Sequence, residues 1–165
     1  MNAPLYQAVV HFPKLAPGFA LGVACNDDEI LGIDFLAPRP EQAPRTLLAK
    51  EAVRQIHAYL KDPGYAIGLP LAPAGTHFQR RVWNSIAMIP TGQTRSYGDL
   101  ARDLASAPRA VGGACGANPY PLVVPCHRVI GSDGSLTGYG GGLPLKRKLL
   151  EHEARVAGTR FDLFG

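Results

Sequence analysis

Three features of secreted and membrane proteins are missing from the sequence. It has only three cysteines in 165 residues and no CxxC pair, so we expect free thiols in a reducing compartment instead of a disulfide framework. No apolar run approaches the roughly 18 residues of a membrane-spanning helix, and residues 1–12 carry neither a basic segment nor a cleavage signal. We therefore expect a cytoplasmic protein that is neither exported nor inserted into a membrane.

Metal ligands are also sparse. His57 lies on a predicted helix and Cys25 at the end of a predicted strand, but no third or fourth ligand follows at a useful spacing. Zinc sites in proteins are usually closed by four such ligands, or by three ligands and an open position. We therefore expect neither a metal nor another cofactor.

Basic residues are concentrated in the second half of the chain. The net charge is +4. Residues 1–75 hold six Lys and Arg against seven Asp and Glu, whereas residues 76–165 hold eleven against six. This asymmetry indicates an anionic partner such as nucleic acid, although an ordinary solvated surface can have the same balance.

The first part of the chain predicts a small antiparallel sheet and one helix. Three β-rich runs separated by turn-forming residues lie at residues 6–12, 19–24 and 30–35. Apolar residues at near-helical spacing over residues 46–60 predict a helix that covers one face of the sheet. A Pro- and Gly-rich linker at residues 70–75 then predicts two domains, residues 1–72 and 76–165.

The second domain opens with three predicted helices at helix-turn-helix spacing. Capping boxes beginning at Thr76 and Ser96 open the first two helices, and the third helix spans residues 107–117. This third helix consists mostly of Ala and Gly, with Arg109 as its only long charged side chain. Either tight packing or the close approach of a bulky partner, such as a DNA groove, would explain that composition.

Residues 123–130 place Cys126 between Pro125 and His127 in an apolar, β-branched run. Because Pro125 cannot donate to a β-ladder, an extended strand must break there, which would open Cys126 to a pocket. Free cysteine is also among the most buried residue types. This stretch alone therefore leaves a structural and a reactive thiol equally open.

The chain then predicts a hairpin turn, a loop and a final helix. The turn lies at residues 131–135, and the loop at residues 137–142 is so rich in glycine that it should either move or admit a ligand. The last helix begins at Leu143 and runs to about residue 156.

Glu153 lies on the apolar face of that last helix and has no cation three or four residues away. A buried carboxylate needs a partner, and His127 is the natural candidate. A carboxylate that orients an imidazole, which in turn draws a proton from a thiol, is the general arrangement for activating a nucleophile. Because neighbours on an extended segment point to opposite faces, we expect His127 to reach Cys126 through a bound water.

These motifs resemble those of the O6-alkylguanine-DNA alkyltransferases. The resemblance rests on residues 125–131, 138–143, 94–98 and 109–112. It covers residues 76–153 closely and the first 75 residues only in size and pattern. It implies an α+β fold, with a ribonuclease H-like sheet and helix followed by a helical winged helix-turn-helix domain.

The resemblance also implies a reaction. An alkyl group on O6 of guanine in double-stranded DNA, and also on O4 of thymine, would pass irreversibly to Cys126, so that each molecule acts once. The base would be flipped out from the minor-groove side. The protein would act as a monomer without a cofactor.

Individual roles follow from the same resemblance. Catalysis would involve Cys126, His127, Glu153, Asn118 and Tyr97. DNA contacts would come from Arg109, Tyr97, Ala110, Gly113 and Ala114. The base pocket would be lined by Pro121, Val129, Tyr139, Gly140 and Cys115. Arg109 would fill the vacated base stack, and Arg128 would brace the two domains.

Two other functions are compatible with parts of this pattern. A non-enzymatic alkyltransferase-like protein binds damaged guanine without repairing it, but such relatives lack the cysteine, so Cys126 argues against this function. A Cys-His-Glu hydrolase would need an oxyanion hole and repeated turnover.

Overall fold

The computed structural model describes residues 6–15 and 18–157. The chain divides into two compact units, Met1–Pro73 and Ala74–Gly165. The division falls inside the Pro- and Gly-rich stretch of the sequence at residues 70–75. The two units are described separately below.

The first unit is a three-stranded antiparallel sheet in the order β1-β2-β3. Its strands are β1 (Ala8–His11), β2 (Ala20–Cys25) and β3 (Ile30–Leu36). The central strand β2 is buried along nearly its whole length, whereas β3 alternates between buried and more exposed positions. The predicted sheet is therefore confirmed, with shifts of one or two residues at the strand ends.

Helix α1 (Leu47–Lys61) covers this sheet and contacts β1 and β2. Thr46 caps its N-terminus, because the Thr46 hydroxyl accepts a hydrogen bond from the Ala49 amide at 3.1 Å. Ala52 and Ile56, one turn apart, are both buried on the face toward the sheet. The helix predicted at residues 46–60 is confirmed.

The described part of the second unit, up to residue 157, holds four α-helices: α2 (His77–Ala87), α3 (Tyr97–Asp103), α4 (Pro108–Gly116) and α5 (Leu143–Ala157). Both predicted capping boxes are present, Thr76 with Gln79 and Ser96 with Asp99. Pro108 occupies the first turn of α4, where its missing N–H costs no helical hydrogen bond. Sequence patterning therefore located all four helices.

A short parallel sheet connects the start of α3 with the region of Cys126. Strand β4 (Arg95–Ser96) pairs with β5 (Val129–Ile130), so that Arg95 lies opposite Val129. The hairpin predicted at residues 131–135 is therefore wrong. The turn itself forms, with the Gly131 amide bonded to the Ser135 carbonyl at 2.8 Å, but the strand before it pairs with β4 instead of folding back on the residues that follow.

The surroundings of the glycines in α4 distinguish tight packing from the close approach of a partner as the reason for its composition. A Cβ atom added at Gly113 or Gly116 would meet nothing within 4 Å, and one at Gly112 would meet only the Tyr97 ring, at 4.0 Å. Packing within the described chain therefore does not require glycine at these positions. The remaining explanation is that the surface of α4 admits a partner at close range.

Candidate active site

Cys126 begins a 3-10 turn (Cys126–Arg128) that directly follows Pro125. The break predicted at Pro125 is thus present, but the residues after it coil instead of remaining extended. The Cys126 side chain is buried, with only 5% of the residue exposed. This burial agrees with the tendency of free cysteine to be buried, and the opening of Cys126 to a pocket stays a prediction.

Asn118, just after the end of α4, is hydrogen-bonded to the Cys126 sulfur. Its side-chain amide donates to the Cys126 Sγ atom at 3.3 Å and to the Val124 carbonyl at 3.0 Å. Its side-chain oxygen accepts from the Tyr120 amide at 2.8 Å. Since one side chain makes all three bonds, the chain just before Cys126 is fixed relative to the end of α4.

His127 and Glu153 form the pair that the sequence suggested. The His127 Nε2 atom and the Glu153 Oε1 atom lie 2.6 Å apart, and both side chains are fully buried. With Nε2 donating to the carboxylate, the Nδ1 atom is left as an acceptor, and it has no hydrogen-bond partner among the described residues. Burial lowers the pKa of His127 despite the adjacent carboxylate, which favours the neutral imidazole.

The sequence suggested a water between Cys126 and His127 because neighbours on an extended segment point to opposite faces. That reasoning does not apply, because both residues lie in the 3-10 turn. Asn118 donates to the Cys126 sulfur, and Nδ1 of His127 has no hydrogen-bond partner among the described residues. A water-mediated path therefore stays a proposal.

Arg128 is the second partner of Glu153, and sequence reasoning missed it. Its guanidinium donates from Nε to Oε2 and from Nη2 to Oε1, both at 2.9 Å. Nη1 also donates to the Ile89 carbonyl at 2.6 Å, and Nη2 to the Thr91 hydroxyl at 3.2 Å. These bonds all lie within the second unit. Because Arg128 and Glu153 are 25 residues apart in the sequence, helical spacing could not predict their contact.

Glu153 is consequently held as a carboxylate. Burial alone would raise its pKa, but the hydrogen bonds and charges of His127 and Arg128 lower the pKa to about 2. The carboxylate therefore orients the imidazole and stabilises any positive charge that forms on it, without taking up a proton itself at neutral pH.

Lys146 is a second residue that sequence reasoning missed. It is fully buried on α5, and its ammonium donates to the carbonyls of Val129 at 2.6 Å and Thr137 at 2.9 Å. The same nitrogen lies 5.7 Å from the centre of the Tyr97 ring. Burial lowers the pKa of Lys146 to about 8. Its spacing from Leu149, Leu150 and Glu153 could have placed it on the inward face.

Lys146 thereby connects β5 with the glycine-rich loop at residues 137–142. The Tyr97 hydroxyl donates to the Thr137 carbonyl as well, at 3.3 Å. Since two side chains from α3 and α5 converge on one carbonyl, the beginning of the loop is anchored while Gly140 remains exposed.

Cys115, expected among the pocket residues, is coupled in its ionisation to Cys126. The Cys126 thiol lowers the pKa of Cys115, and the Cys115 thiol together with burial raises the pKa of Cys126. Two thiols coupled in this way titrate as a pair, so the first proton leaves more easily than the second.

The other expected pocket residues are spread over two short segments and the loop. Val129 is buried in β5, and Pro121 is half-buried and bridged to Val124. Tyr139 lies edge-on to His127, with ring centres 6.4 Å apart, and burial raises the pKa of its phenol. The structure thus brings Tyr139 to the His127 imidazole.

The residues expected to contact DNA lie on α3 and α4. Arg109, Ala110 and Gly113 are exposed, and Tyr97 is half-buried. Ala114 differs, because it is buried and its carbonyl accepts a hydrogen bond from the Trp83 indole at 2.8 Å. Assigning Ala114 to the contact surface is therefore wrong, since it faces α2.

Within the described residues, no group of three or more His, Cys, Asp or Glu side chains could hold a metal ion. None of the helices described is long and apolar enough to span a bilayer.

Comparison with known proteins places this site in a family. Residues 77–155 match the model for the 6-O-methylguanine DNA methyltransferase, DNA binding domain. The methylated-DNA–protein-cysteine methyltransferase of Mycobacterium tuberculosis is 49% identical over 115 residues, which cover 68% of this chain and 70% of that protein. The chain belongs to the methylated-DNA–protein-cysteine methyltransferase family.

Other members of the methylated-DNA–protein-cysteine methyltransferase family are equally similar. The protein of that name from Methanosarcina acetivorans is 48% identical over 106 residues, covering 63% of this chain and 68% of its own length. Among solved structures, Mycobacterium tuberculosis OGT in complex with DNA aligns with a TM-score of 0.73 at 39% identity, over 86% of this chain and 90% of that one. The O6-methylguanine methyltransferase of the same organism covers 91% of this chain, also with a TM-score of 0.73. The similarity to solved structures therefore extends over both units.

Proposed function

We infer that this protein repairs DNA by moving an alkyl group from O6 of guanine to the Cys126 sulfur, and that O4-alkylthymine is a second substrate. The observation that carries the proposal is the His127–Glu153 pair beside Cys126, with a neutral imidazole whose Nδ1 atom is an available acceptor. This arrangement activates a nucleophile. Membership of the family supplies the substrate class.

The reaction proceeds in one displacement. The Cys126 thiol gives up its proton, and the sulfur attacks the alkyl carbon on O6. The new S–C bond forms as the C–O6 bond breaks, and the electron pair of the broken bond stays with the base. Guanine regains a proton and is restored, while the thioether on Cys126 is too stable to be cleaved, so each molecule acts once.

The proton path follows from the site. Neutral His127 accepts the thiol proton at Nδ1, by way of a water, while Glu153 balances the positive charge on the ring. Asn118 positions the sulfur through its side-chain amide. The Tyr97 phenol, anchored at Thr137, helps return a proton to the base.

DNA binding is assigned to the exposed surface of α4, in the minor groove. The open space beside Gly113 and Gly116 allows a backbone to approach the helix closely. Arg109 at the exposed start of α4 enters the base stack when the damaged nucleotide turns outward. Ala110 and Gly113 contribute contacts of van der Waals type.

The flipped base is received near the glycine-rich loop. Pro121, Val129 and Tyr139 line the pocket, Cys115 lies at its inner end, and the Gly140 amide reads the edge of the base. Since Gly140 is exposed and carries no side chain, the loop can adapt to alkyl groups of different size.

The remaining parts of the proposal concern architecture and location. The sheet and helix of residues 1–72 form a ribonuclease H-like domain, and residues 76–165 form a winged helix-turn-helix domain that binds DNA. The protein acts in the cytoplasm as a monomer.

Mass spectrometry tests the reaction. After incubation with excess duplex containing O6-methylguanine, we expect one added methyl group per protein molecule, located on the tryptic peptide of residues 110–128. The amount of repaired guanine should equal the amount of protein. Repeated turnover with an unmodified Cys126 would indicate a hydrolase instead, and bound but unrepaired DNA would indicate a damage sensor.

A substitution at Arg109 tests the assignment of α4. We expect Arg109→Ala to slow repair of duplex DNA by about 10- to 100-fold, since a side chain that fills the vacated stack offsets a few kcal/mol of unstacking. Reaction with the free base O6-benzylguanine should change little, because that substrate needs no flipping. The measurement is the single-turnover rate on both substrates.

The matched control for this prediction is Arg155→Ala, which removes an exposed arginine from α5. If Arg109→Ala slowed both substrates equally, Arg109 would support the fold and the minor-groove assignment would fail.

A further inference from the structure

Trp83, the single tryptophan of the chain, lies against the last turn of α4. It belongs to α2, and only 7% of the residue is exposed. Its indole Nε1 atom donates to the Ala114 carbonyl at 2.8 Å, in a buried position. The indole thus joins α2 to the helix that is assigned to DNA binding.

The Ala114 carbonyl is one of the last four carbonyls of α4, which lack a regular partner within the helix. Its regular donor would be the Asn118 amide, but that amide bonds to the Cys115 carbonyl at 3.2 Å. The Ala117 amide approaches the Ala114 carbonyl only at 3.3 Å. Among the described contacts, the Trp83 indole therefore makes the shortest hydrogen bond to this carbonyl.

Helix α4 depends on such contacts for its position. Its three glycines lower its intrinsic helix propensity, and a side chain added at Gly113 or Gly116 would find only open space. The buried residues of α4 are Val111 and Ala114. The end of the helix is therefore fixed at Ala114, where the indole bonds.

Gly75 packs against the six-membered ring of the same indole. Gly75 has a φ of +79°, which is a left-handed conformation. A Cβ atom added there would lie 2.5 Å from the Cη2 atom of Trp83, which is closer than two carbon atoms approach each other. The indole is therefore confined at one edge by Gly75 and bonded at the other to α4.

Asn118 connects the end of α4 with the proposed alkyl acceptor. It follows Ala114 by about one helical turn, and its side chain donates to the Cys126 sulfur at 3.3 Å and to the Val124 carbonyl at 3.0 Å. A shift of the helix end would therefore move the Asn118 amide away from the sulfur.

We propose that Trp83 is a positioning residue for alkyl transfer, because its indole N–H fixes the end of α4 and thereby keeps the Asn118 amide on the Cys126 sulfur. This inference rests on the proposed function and extends it to a residue that contacts neither the sulfur nor the base. Since Trp83 acts through Asn118, it should change the rate of transfer and not the binding of a free base.

The experiment replaces the one tryptophan of the full chain by two close analogues. β-(3-Benzothienyl)alanine has sulfur in place of the indole N–H, so it removes the hydrogen bond to Ala114 while the ring still packs against Gly75. The matched control is 4-fluorotryptophan, which retains the N–H. The measurement is the single-turnover rate of benzyl transfer over a range of O6-benzylguanine concentrations.

With benzothienylalanine at Trp83, we expect the maximal transfer rate to fall by about 5-fold, the usual net effect of one hydrogen bond. The O6-benzylguanine concentration that gives half of the maximal rate should stay the same. With 4-fluorotryptophan, both quantities should match those of the wild type.

The same comparison in an Asn118→Ala background tests the route. There, benzothienylalanine should slow transfer by less than about 1.5-fold, because the connection through Asn118 is already broken and the two effects are not additive. Asn118→Ser serves the same purpose if the alanine variant does not fold. A general contribution of Trp83 to stability would instead slow both backgrounds by the same factor.

Three results would overturn the inference, provided that the wild type accepts a benzyl group. They are an unchanged rate with benzothienylalanine, a change confined to the half-maximal concentration, and an equal loss in the wild-type and Asn118→Ala backgrounds. Failure of the wild type itself to accept a benzyl or methyl group would contradict the proposed function, and this inference with it.

Discussion

Replacing Cys126 by serine is expected to abolish alkyl transfer, with no methyl or benzyl group detectable on the protein at any incubation time. The hydroxyl of serine is far less acidic than a thiol, so the site cannot generate the anion that attacks the alkyl carbon. Serine is close in size to cysteine, and Asn118 can donate to its oxygen as it does to the sulfur. The measurement is intact mass after incubation with O6-methylguanine DNA.

Binding to duplex DNA should survive this change, because the exposed surface of α4 is untouched. Cys25→Ser, a substitution at the cysteine of the first unit, provides the control and should accept one methyl group like the wild type. Methylation of the Cys126→Ser variant at the normal rate would show that another residue is the acceptor.

Glu153→Gln is expected to have the second largest effect. The neutral amide no longer balances a positive charge on His127, so we expect the transfer rate to fall by about 10²-fold, the usual contribution of a well-placed general base. Arg128 is left buried beside a neutral side chain, and we expect a loss of about 3 kcal/mol in the free energy of unfolding. Rapid-quench kinetics and urea denaturation measure the two effects.

The control is Glu151→Gln, two residues earlier on the same helix and only half-buried. Its stability should change by less than about 0.5 kcal/mol. An equal loss of stability in both variants would contradict a special role for the Glu153 cluster.

The stability difference at Glu153 should also depend on pH. The folded-state pKa of Glu153 is lowered to about 2, so its contribution is complete above about pH 4.5, near the unfolded pKa. It decreases as the pH falls toward 2. Wild type and Glu153→Gln should therefore converge in stability over this window of acid denaturation.

The sequence was a good guide wherever a feature repeats locally. Capping boxes, turn residues and apolar spacing located the three strands of the first unit and the five α-helices of the described residues. A carboxylate on an apolar helix face, with no cation at helical spacing, pointed from Glu153 to His127. A cysteine flanked by proline and histidine identified the position of the proposed acceptor. These patterns involve residues within a few positions of one another in the sequence, so they can be recognised without knowledge of the fold.

What the sequence could not show depends on contacts between distant segments. The two hydrogen bonds between Arg128 and Glu153 join a short turn to the last helix. No sequence pattern around either residue predicts this contact. The pairing of β5 with β4 instead of a hairpin follows from how the helices bring two strands together. The inward direction of Ala114 was also not predicted, because the packing of α2 against α4 decides it.

The parallel pairing of β4 with β5 has a consequence for how the protein acquires its reactivity. Arg95 and Val129 are separated along the chain by α3 and α4, and non-local contacts of this kind carry a larger loop-closure cost than helices do. In the proposed mechanism, the residues that position and activate Cys126 lie on both sides of it, Asn118 before and His127 and Glu153 after. We therefore expect Cys126 to accept an alkyl group only after these long-range contacts form, so that an acceptor used only once is not spent during synthesis.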